Sequence, residues 1–255
     1  PTPQLVLLPE TALAVFQHQL SPTVWNAWRA LAAEQQSTLM MGAALFDRAT
    51  STYTNSVIGI DHTTPLEALT SGHSAMRYDK HHLVPFGEFF PVPKFVRRWL
   101  RLMNLPYSDF TSGATAQPPL SIAGLRLSAS ICYEDAYPAS QLSSARESTA
   151  LVNVTNDAWF GRSTARHQHL QISRMRAIES QRYVIRAAND GVSAIIGPRG
   201  ELLAQAPDFK PVVLRGEVIP RFGVPPYLRF GNLPLLWLAT LCGFVAIMMR
   251  RRERE

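Results

Sequence analysis

The 255-residue sequence predicts a layered α/β domain with a mixed sheet, followed by one transmembrane helix, and three observations carry that expectation. Short apolar runs bounded by turn residues alternate with segments of helical period. Some neighbouring runs read as hairpins, so the sheet cannot be purely parallel. An uncharged apolar stretch near the end finishes in a cluster of arginines. With 46% hydrophobic residues the chain can bury one sizeable core, so one main domain is expected. The formal charge of +6 does not indicate a nucleic-acid partner, because the basic residues are scattered and the densest group, Arg250, Arg251, Arg252 and Arg254, stands at the very end.

Residues 5–8 form a short apolar run stopped by Pro9, the pattern of a buried strand that delivers Glu10 at its carboxyl end. Ser21 and Pro22 supply an N-cap and a first-turn residue, and Val24, Trp25, Trp28, Leu31 and Ala32 recur at helical spacing. Residues 38–46 and 53–60 read as two strands around the polar turn 47–52. A short basic helix is expected over 93–103. With Phe86, Phe89 and Phe90 before it, this stretch is an amphipathic arm that either covers the core or rests on anionic lipid head groups.

Residues 125–131 read as a strand ending at Cys132, and Glu134 and Asp135 open a helix at its positive end. A buried strand over 149–156, a long helix over 164–182, and a strand pair, 184–188 and 192–196, interrupted at Asn189-Asp190-Gly191, follow. Residues 198–201 are a turn and 212–218 a last strand.

The stretch 233–249 runs 17 residues without a charge, which as a helix spans about 25 Å and reaches the lower limit for crossing a bilayer. A buried core helix is the alternative, but such a helix is seldom apolar all round and then closed by arginines. Trp237, Tyr227 and Arg229 suit the interface, and the basic tail favours the cytoplasmic side, which puts the preceding domain outside the cytoplasm. Of the two cysteines, Cys242 falls within the apolar stretch, so a bridge to Cys132 is not expected. The chain begins Pro1-Thr2-Pro3 and runs almost at once into a strand, as a fragment lacking its original start would.

Glu10, Lys80 and Cys132 each stand at a strand end or an adjoining loop, where layered α/β domains collect reactive groups. Singly, each has an ordinary reading as solvated surface or small core residue. A metal site is not expected. His81 and His82 are adjacent and point to opposite faces of an extended segment, while His167 and His169 lie two apart on a helix.

Taken together, LLPETA around Glu10, RYDKHHLVPFGEFFP around Lys80 and SICYED around Cys132 resemble, in the same order, the three catalytic segments of the nitrilase superfamily. The string from Lys80 to Glu88, the C-Y-E at 132–134, NVTNDAWFG at 153–161 and the terminal apolar stretch most resemble the apolipoprotein N-acyltransferase family. The resemblance implies a nitrilase-like α-β-β-α sandwich over residues 1–225 with its first strand missing, a linker over 226–232, a transmembrane helix over 233–249 and a basic cytoplasmic tail over 250–255. It also implies a bacterial inner-membrane protein, multi-pass in full length because members carry an amino-terminal bundle of membrane helices.

The chemistry implied is acyl transfer from a membrane phospholipid, through a Cys132 thioester, to the N-terminal amine of a lipid-modified apolipoprotein, with no cofactor. Glu10 would act as general base. Lys80 and the backbone N–H of Tyr133 would stabilise the oxyanion, and Glu88 and Glu134 would support the site. Asn55, Asn156, Trp159 and Phe160 are expected to touch substrate. The rival readings are an amidase or nitrilase acting on a small substrate and an inactive membrane-tethered module.

Overall fold

Two sets of strands bury one face each against the other, and this divides the chain into two sheets. The computed structural model describes residues 2–92, 96 and 110–252. Its first sheet holds, in spatial order, β1 (Leu5–Leu7), β2 (Thr38–Asp47), β3 (Thr52–Ile60) and β4 (Arg77–Asp79). β1 runs parallel to β2, and the other two pairs are antiparallel. The second sheet, from the opposite edge, is β5 (Leu120–Ile122), β6 (Leu125–Ile131), β7 (Ala150–Asn156), β8 (Val184–Asn189), β9 (Ala194–Ile196) and β10 (Leu202–Gln205). Its centre, β6, β7 and β8, is parallel, while β5, β9 and β10 attach antiparallel.

The strand period of two explains the layers. Met40 and Val57 face Leu127, Ala129, Ile131, Val152 and Val154 of the other sheet across the central core. Met41 and Ile58, one residue along, face outward onto Trp25 and Leu69 of α1 (Pro22–Gln35) and α2 (Leu66–Ser71). On the far side Leu151, Val184 and Ile196 meet Ala145, Leu170, Ala177 and Leu228 of α3 (Pro138–Glu147), α4 (Ala165–Ser180) and α5 (Pro226–Phe230). The result is the expected α-β-β-α sandwich. Ser21 caps α1 as its sequence implied, its hydroxyl accepting from the Thr23 N–H at 3.2 Å.

Three expectations change. The final strand is not at 212–218, where Val212 and Val213 stand exposed, but at β10. The turn that closes when the Gly197 N–H donates to the Glu201 carbonyl leads β10 straight back onto β9, so β10 takes the place beside β9 and the later apolar run pairs with no strand among the described residues. The helix expected at Glu134 is only a 3-10 turn, Cys132–Ala136, and the α-helix starts at Pro138, whose ring suits a first turn. Between the sandwich and the last helix stands α5, with Leu228 buried. Arg146 donates to the carbonyls of Leu228 and Arg229, and Arg182 to that of Gly223. The basic helix over 93–103 lies outside the described residues except for Val96. Then comes α6 (Leu233–Arg252), whose window Leu233–Arg250 has a mean hydropathy of 1.8 and is exposed along its length. It is long and apolar enough to cross a bilayer.

One glycine lets the first sheet deliver its carboxylate. A Cβ on Gly42 would stand 2.5 Å from the Glu10 Cα and 2.8 Å from the Pro9 carbonyl oxygen, contacts with backbone that no rotamer relieves. Gly42→Ala is therefore expected to lower unfolding free energy by about 1–3 kcal/mol in urea titration, with Glu10 displaced. An unchanged midpoint would contradict this account of the β1 end.

Candidate active site

The carboxyl ends of β1, β4, β6, β7 and β8 meet at one edge of the sandwich, and each ends in a polar residue of a single cluster. Glu10 follows β1, Lys80 follows β4 and Cys132 follows β6, so the three residues singled out in the sequence come together. The Lys80 ammonium is 3.4 Å from Glu10 Oε1 and 3.0 Å from Glu88 Oε1, and its side chain is 1% exposed. Asn55 on β3 donates from Nδ2 to Glu10 Oε1 and to Glu88 Oε1, each at 2.7 Å. The other Glu10 oxygen receives the Asn156 N–H at 2.8 Å, and Asn189 at the end of β8 holds the Glu10 carbonyl at 2.9 Å. Both carboxylates are thus oriented by donors that never titrate.

This arrangement sets the charge states. Burial works to lower the Lys80 pKa, but the Glu10 and Glu88 carboxylates override it and raise it, so the side chain stays an ammonium. Burial pushes the Cys132 thiol up to about 11 and the Glu10 charge adds to the rise, while Lys80, a hydrogen bond with Thr155 and the Tyr133 N–H pull the other way. At neutral pH Cys132 rests as a thiol, and a base would have to remove its proton for the sulfur to attack.

Glu134 is structural cement rather than a partner of Lys80. Its Oε1 accepts the N–H groups of His81 at 2.7 Å and His82 at 3.0 Å, and its Oε2 accepts that of Ile131 at 2.8 Å and the Tyr78 hydroxyl at 3.1 Å. One carboxylate thereby ties the segment after Lys80 to the strand that ends in Cys132. Glu88 closes its own loop by accepting the Val84 N–H at 2.8 Å, and Tyr133 reaches across to the Leu83 carbonyl at 2.9 Å. Of the expected substrate contacts, Asn55 proves to be part of the charge cluster, and Asn156 contributes its backbone N–H to Glu10. Trp159 is 87% and Phe160 41% exposed, with Phe86 68% exposed.

Sequence reasoning missed a second buried cluster beneath the Cys132 turn, made of Asp135, Asn153, Thr155, Asp157, His169, Ser173 and Arg186. The legible signal was the alternation Asn153, Thr155 on β7 and the polar Ser128, Ser130 on β6, side chains that a purely apolar strand face would not carry. Of the two helix histidines, His167 stays at the surface near Asp208, whereas His169 is buried between Asp135 and Asp157. Burial acts to lower its pKa, yet the two carboxylates raise it to about 9.

The family model described as carbon-nitrogen hydrolase matches residues 3–219 of this sequence. The chain belongs to the carbon-nitrogen hydrolase family. Within that family it is 43% identical over 266 residues to an apolipoprotein N-acyltransferase of Bordetella bronchiseptica, covering 100% of this chain and 48% of that protein. It is 41% identical over 254 residues to an apolipoprotein N-acyltransferase of Ralstonia nicotianae, covering 98% and 46% respectively. The chain spans about half the length of these relatives. Among solved structures, the C. elegans NitFhit protein shares the fold, with a TM-score of 0.57 at 22% identity over 80% of this chain and 50% of that one.

Two outcomes check the carbon-nitrogen hydrolase site as described. Glu134→Ala strands the buried N–H of Ile131, the half-buried N–H groups of His81 and His82 and the buried Tyr78 hydroxyl, and is expected to cost about 3 kcal/mol or more in chemical denaturation. A loss under about 1 kcal/mol would mean the clamp is not real. The raised pKa of His169 gives stability that is full below its ordinary value of 6.5 and is lost as pH rises through about 9. The unfolding midpoint should fall across that window in the native protein and stay flatter in His169→Gln.

Proposed function

We propose that this chain is the catalytic portion of an acyltransferase that moves an acyl chain from a membrane phospholipid to the N-terminal α-amino group of an apolipoprotein's diacylglyceryl-cysteine. The observation that carries the reading is the convergence of Glu10, Lys80 and Cys132 at one buried edge, in a chain 43% identical to an apolipoprotein N-acyltransferase. Residues 1–225 form the catalytic domain, 226–232 connect it, 233–249 cross the bacterial inner membrane and 250–255 lie in the cytoplasm. The arginines Arg250, Arg251 and Arg252 at the end of α6 support that orientation, with the catalytic domain on the extracytoplasmic face.

In the first half-reaction Glu10 takes the S–H proton as sulfur attacks the ester carbonyl of the phospholipid. The oxyanion that forms is met by the Lys80 ammonium and the Tyr133 N–H, and one such donor is typically worth about 3 kcal/mol. Collapse breaks the ester C–O bond. The lysophospholipid leaves with the proton returned by Glu10, and Cys132 is left as an acyl thioester. In the second half-reaction the apolipoprotein amine attacks that thioester, Glu10 accepts its proton, and the amide leaves as the thiol is restored. The order is ping-pong. Glu88 shares the Lys80 ammonium with Glu10 and helps to hold it beside the reacting groups. Exposed Phe86, Trp159 and Phe160 offer apolar surface for an acyl chain.

The test is intact-mass spectrometry of the detergent-solubilised protein after incubation with a defined phospholipid, comparing the native chain with Cys132→Ala. A gain of one acyl chain that hydroxylamine removes, seen only with Cys132, is the expected result. No gain in either protein, with the phospholipid intact, would overturn the reading in favour of a small-amide hydrolase or an inactive module.

A further inference from the structure

The peptide unit that joins Cys132 to Tyr133 has two polar ends. Its N–H, that of Tyr133, meets the oxyanion in the proposed reaction, and its C=O, that of Cys132, is turned into the sandwich onto Asn153 and His169. The unit is trans and planar, so its two ends point in opposite directions and neither can turn without the other. Whatever grips the carbonyl also aims the N–H.

The grip comes from two buried side chains. Asn153 on β7 donates from Nδ2 to the Cys132 carbonyl at 3.0 Å and to Ser130 Oγ at 3.0 Å. Its amide cannot flip, because Oδ1 accepts from the Arg186 guanidinium, which has no acceptor to offer. His169 on α4 brings Nε2 to 3.2 Å from the same carbonyl and 3.2 Å from Asp135 Oδ1, while its Nδ1 lies 2.9 Å from Asp157 Oδ1. With a carboxylate against each nitrogen, the ring is an imidazolium that donates from both sides. Arg186 holds Asp157 Oδ2 at 3.0 Å, and Ser173 donates to Asp135 Oδ2 at 2.6 Å, so two cations and two carboxylates balance within the cluster.

Asn153 is 1% and His169 5% exposed, too deep to touch substrate, so any part they play passes through Cys132. That residue has φ of +55°, in the left-handed region that a non-glycine residue enters at a cost, and the two donors on its carbonyl hold it there. Beyond the peptide unit, the Tyr133 ring lies 5.8 Å from the Lys80 ammonium, so the residue that offers the N–H stands beside the other oxyanion donor.

We propose that Asn153 and His169 are positioning residues for the oxyanion donor: by holding the Cys132 carbonyl they aim the Tyr133 N–H at the tetrahedral oxyanion and polarise it. A carbonyl that accepts two hydrogen bonds, one of them from a cation, draws electron density through its peptide and leaves a stronger donor at the other end. The gain is largest where negative charge develops, so it favours the transition state over the resting ester. Neither side chain gives up a proton in the step. The inference rests on the reading of Cys132 as nucleophile and of the Tyr133 N–H as an oxyanion donor, but not on the identity of the acyl donor.

Two small reagents separate this role from a general effect on the thiol. The ester p-nitrophenyl acetate acylates Cys132 through a tetrahedral oxyanion, whereas iodoacetamide alkylates it by direct displacement with no oxyanion. Both consume the same thiolate, so the ratio of acylation to alkylation, read on the Cys132 peptide by mass spectrometry, isolates the oxyanion donors. The ratio should fall about tenfold in Asn153→Ala, which removes one donor, and in His169→Gln, which removes the charge. Thermal melting followed by circular dichroism checks that each variant folds. In the native protein the ratio should also fall as pH rises through about 9, where His169 loses its proton. The charged groups that face His169 are Asp135, Asp157 and Arg186, and His169→Gln, which keeps all three, should abolish that fall. An unchanged ratio in a folded variant, whether both rates hold or both drop together, would overturn the role of that residue. A native ratio that stays flat through pH 9 would overturn the role of the His169 charge. Neither reagent is a phospholipid, so a ratio that responds as expected in a protein that never takes an acyl chain from phospholipid sinks the proposed transfer and leaves this inference standing. Normal acylation from phospholipid with an unchanged ratio does the reverse.

Discussion

Lys80 is 1% exposed, and an ammonium at that depth is tolerable only against carboxylates that are themselves held in place. That constraint organises the whole edge of the sandwich. Glu10 and Glu88 share the charge, Asn55 bridges the two, and the backbone of β7 and the side chain of Asn189 fix Glu10 in turn. Glu10, Asn55, Asn156 and Asn189 arrive on or just after β1, β3, β7 and β8, and Lys80 and Glu88 on the segment after β4, so the cluster exists only when both sheets are complete and in register. The Gly42 contact shows how tight the fit is, since the chain that carries Glu10 passes where a methyl group would stand.

The sulfur occupies the boundary between two buried polar networks. Above it are Lys80 and the carboxylates. Below it is the Asp135, Asp157, His169 and Arg186 cluster, which supports a Cys132 turn the backbone would not otherwise favour. Glu134 joins the upper network to the same turn through backbone N–H groups, so its carboxylate serves geometry. A buried thiol with a pKa near 11 follows from this enclosure. On the proposed mechanism the thiolate is generated on demand instead of being stored.

The layered fold was legible because the strands obey their period: Met40 and Met41, or Val57 and Ile58, are adjacent apolar residues that can both be buried only if a layer lies on each side. Glu10, Lys80 and Cys132 were legible through the strings around them, not through any property of the single residues. What could not be read were long-range partnerships. Asn55 lies 45 residues from Glu10, and Asn189 lies 179 residues away, and no local pattern encodes such contacts. His169 was set aside because it shares no helix face with His167, an argument that holds between those two residues but is silent about carboxylates arriving from other elements. The strand expected at 212–218 failed for a related reason, because an apolar run shows that a segment can pair and not that a partner strand is placed to receive it.

In the proposed mechanism, proton removal by Glu10, oriented by Lys80 and Asn55, is the step on which attack by Cys132 depends. The most direct test is a single-turnover measurement of thioester formation from phospholipid in Glu10→Gln, an isosteric change that keeps an acceptor for Lys80 and Asn55 but cannot take a proton. The account requires the rate to fall by about a hundredfold or more, with Cys132 still alkylated by iodoacetamide at high pH. A rate within about threefold of native would contradict it, because the thiol would then be finding its base elsewhere.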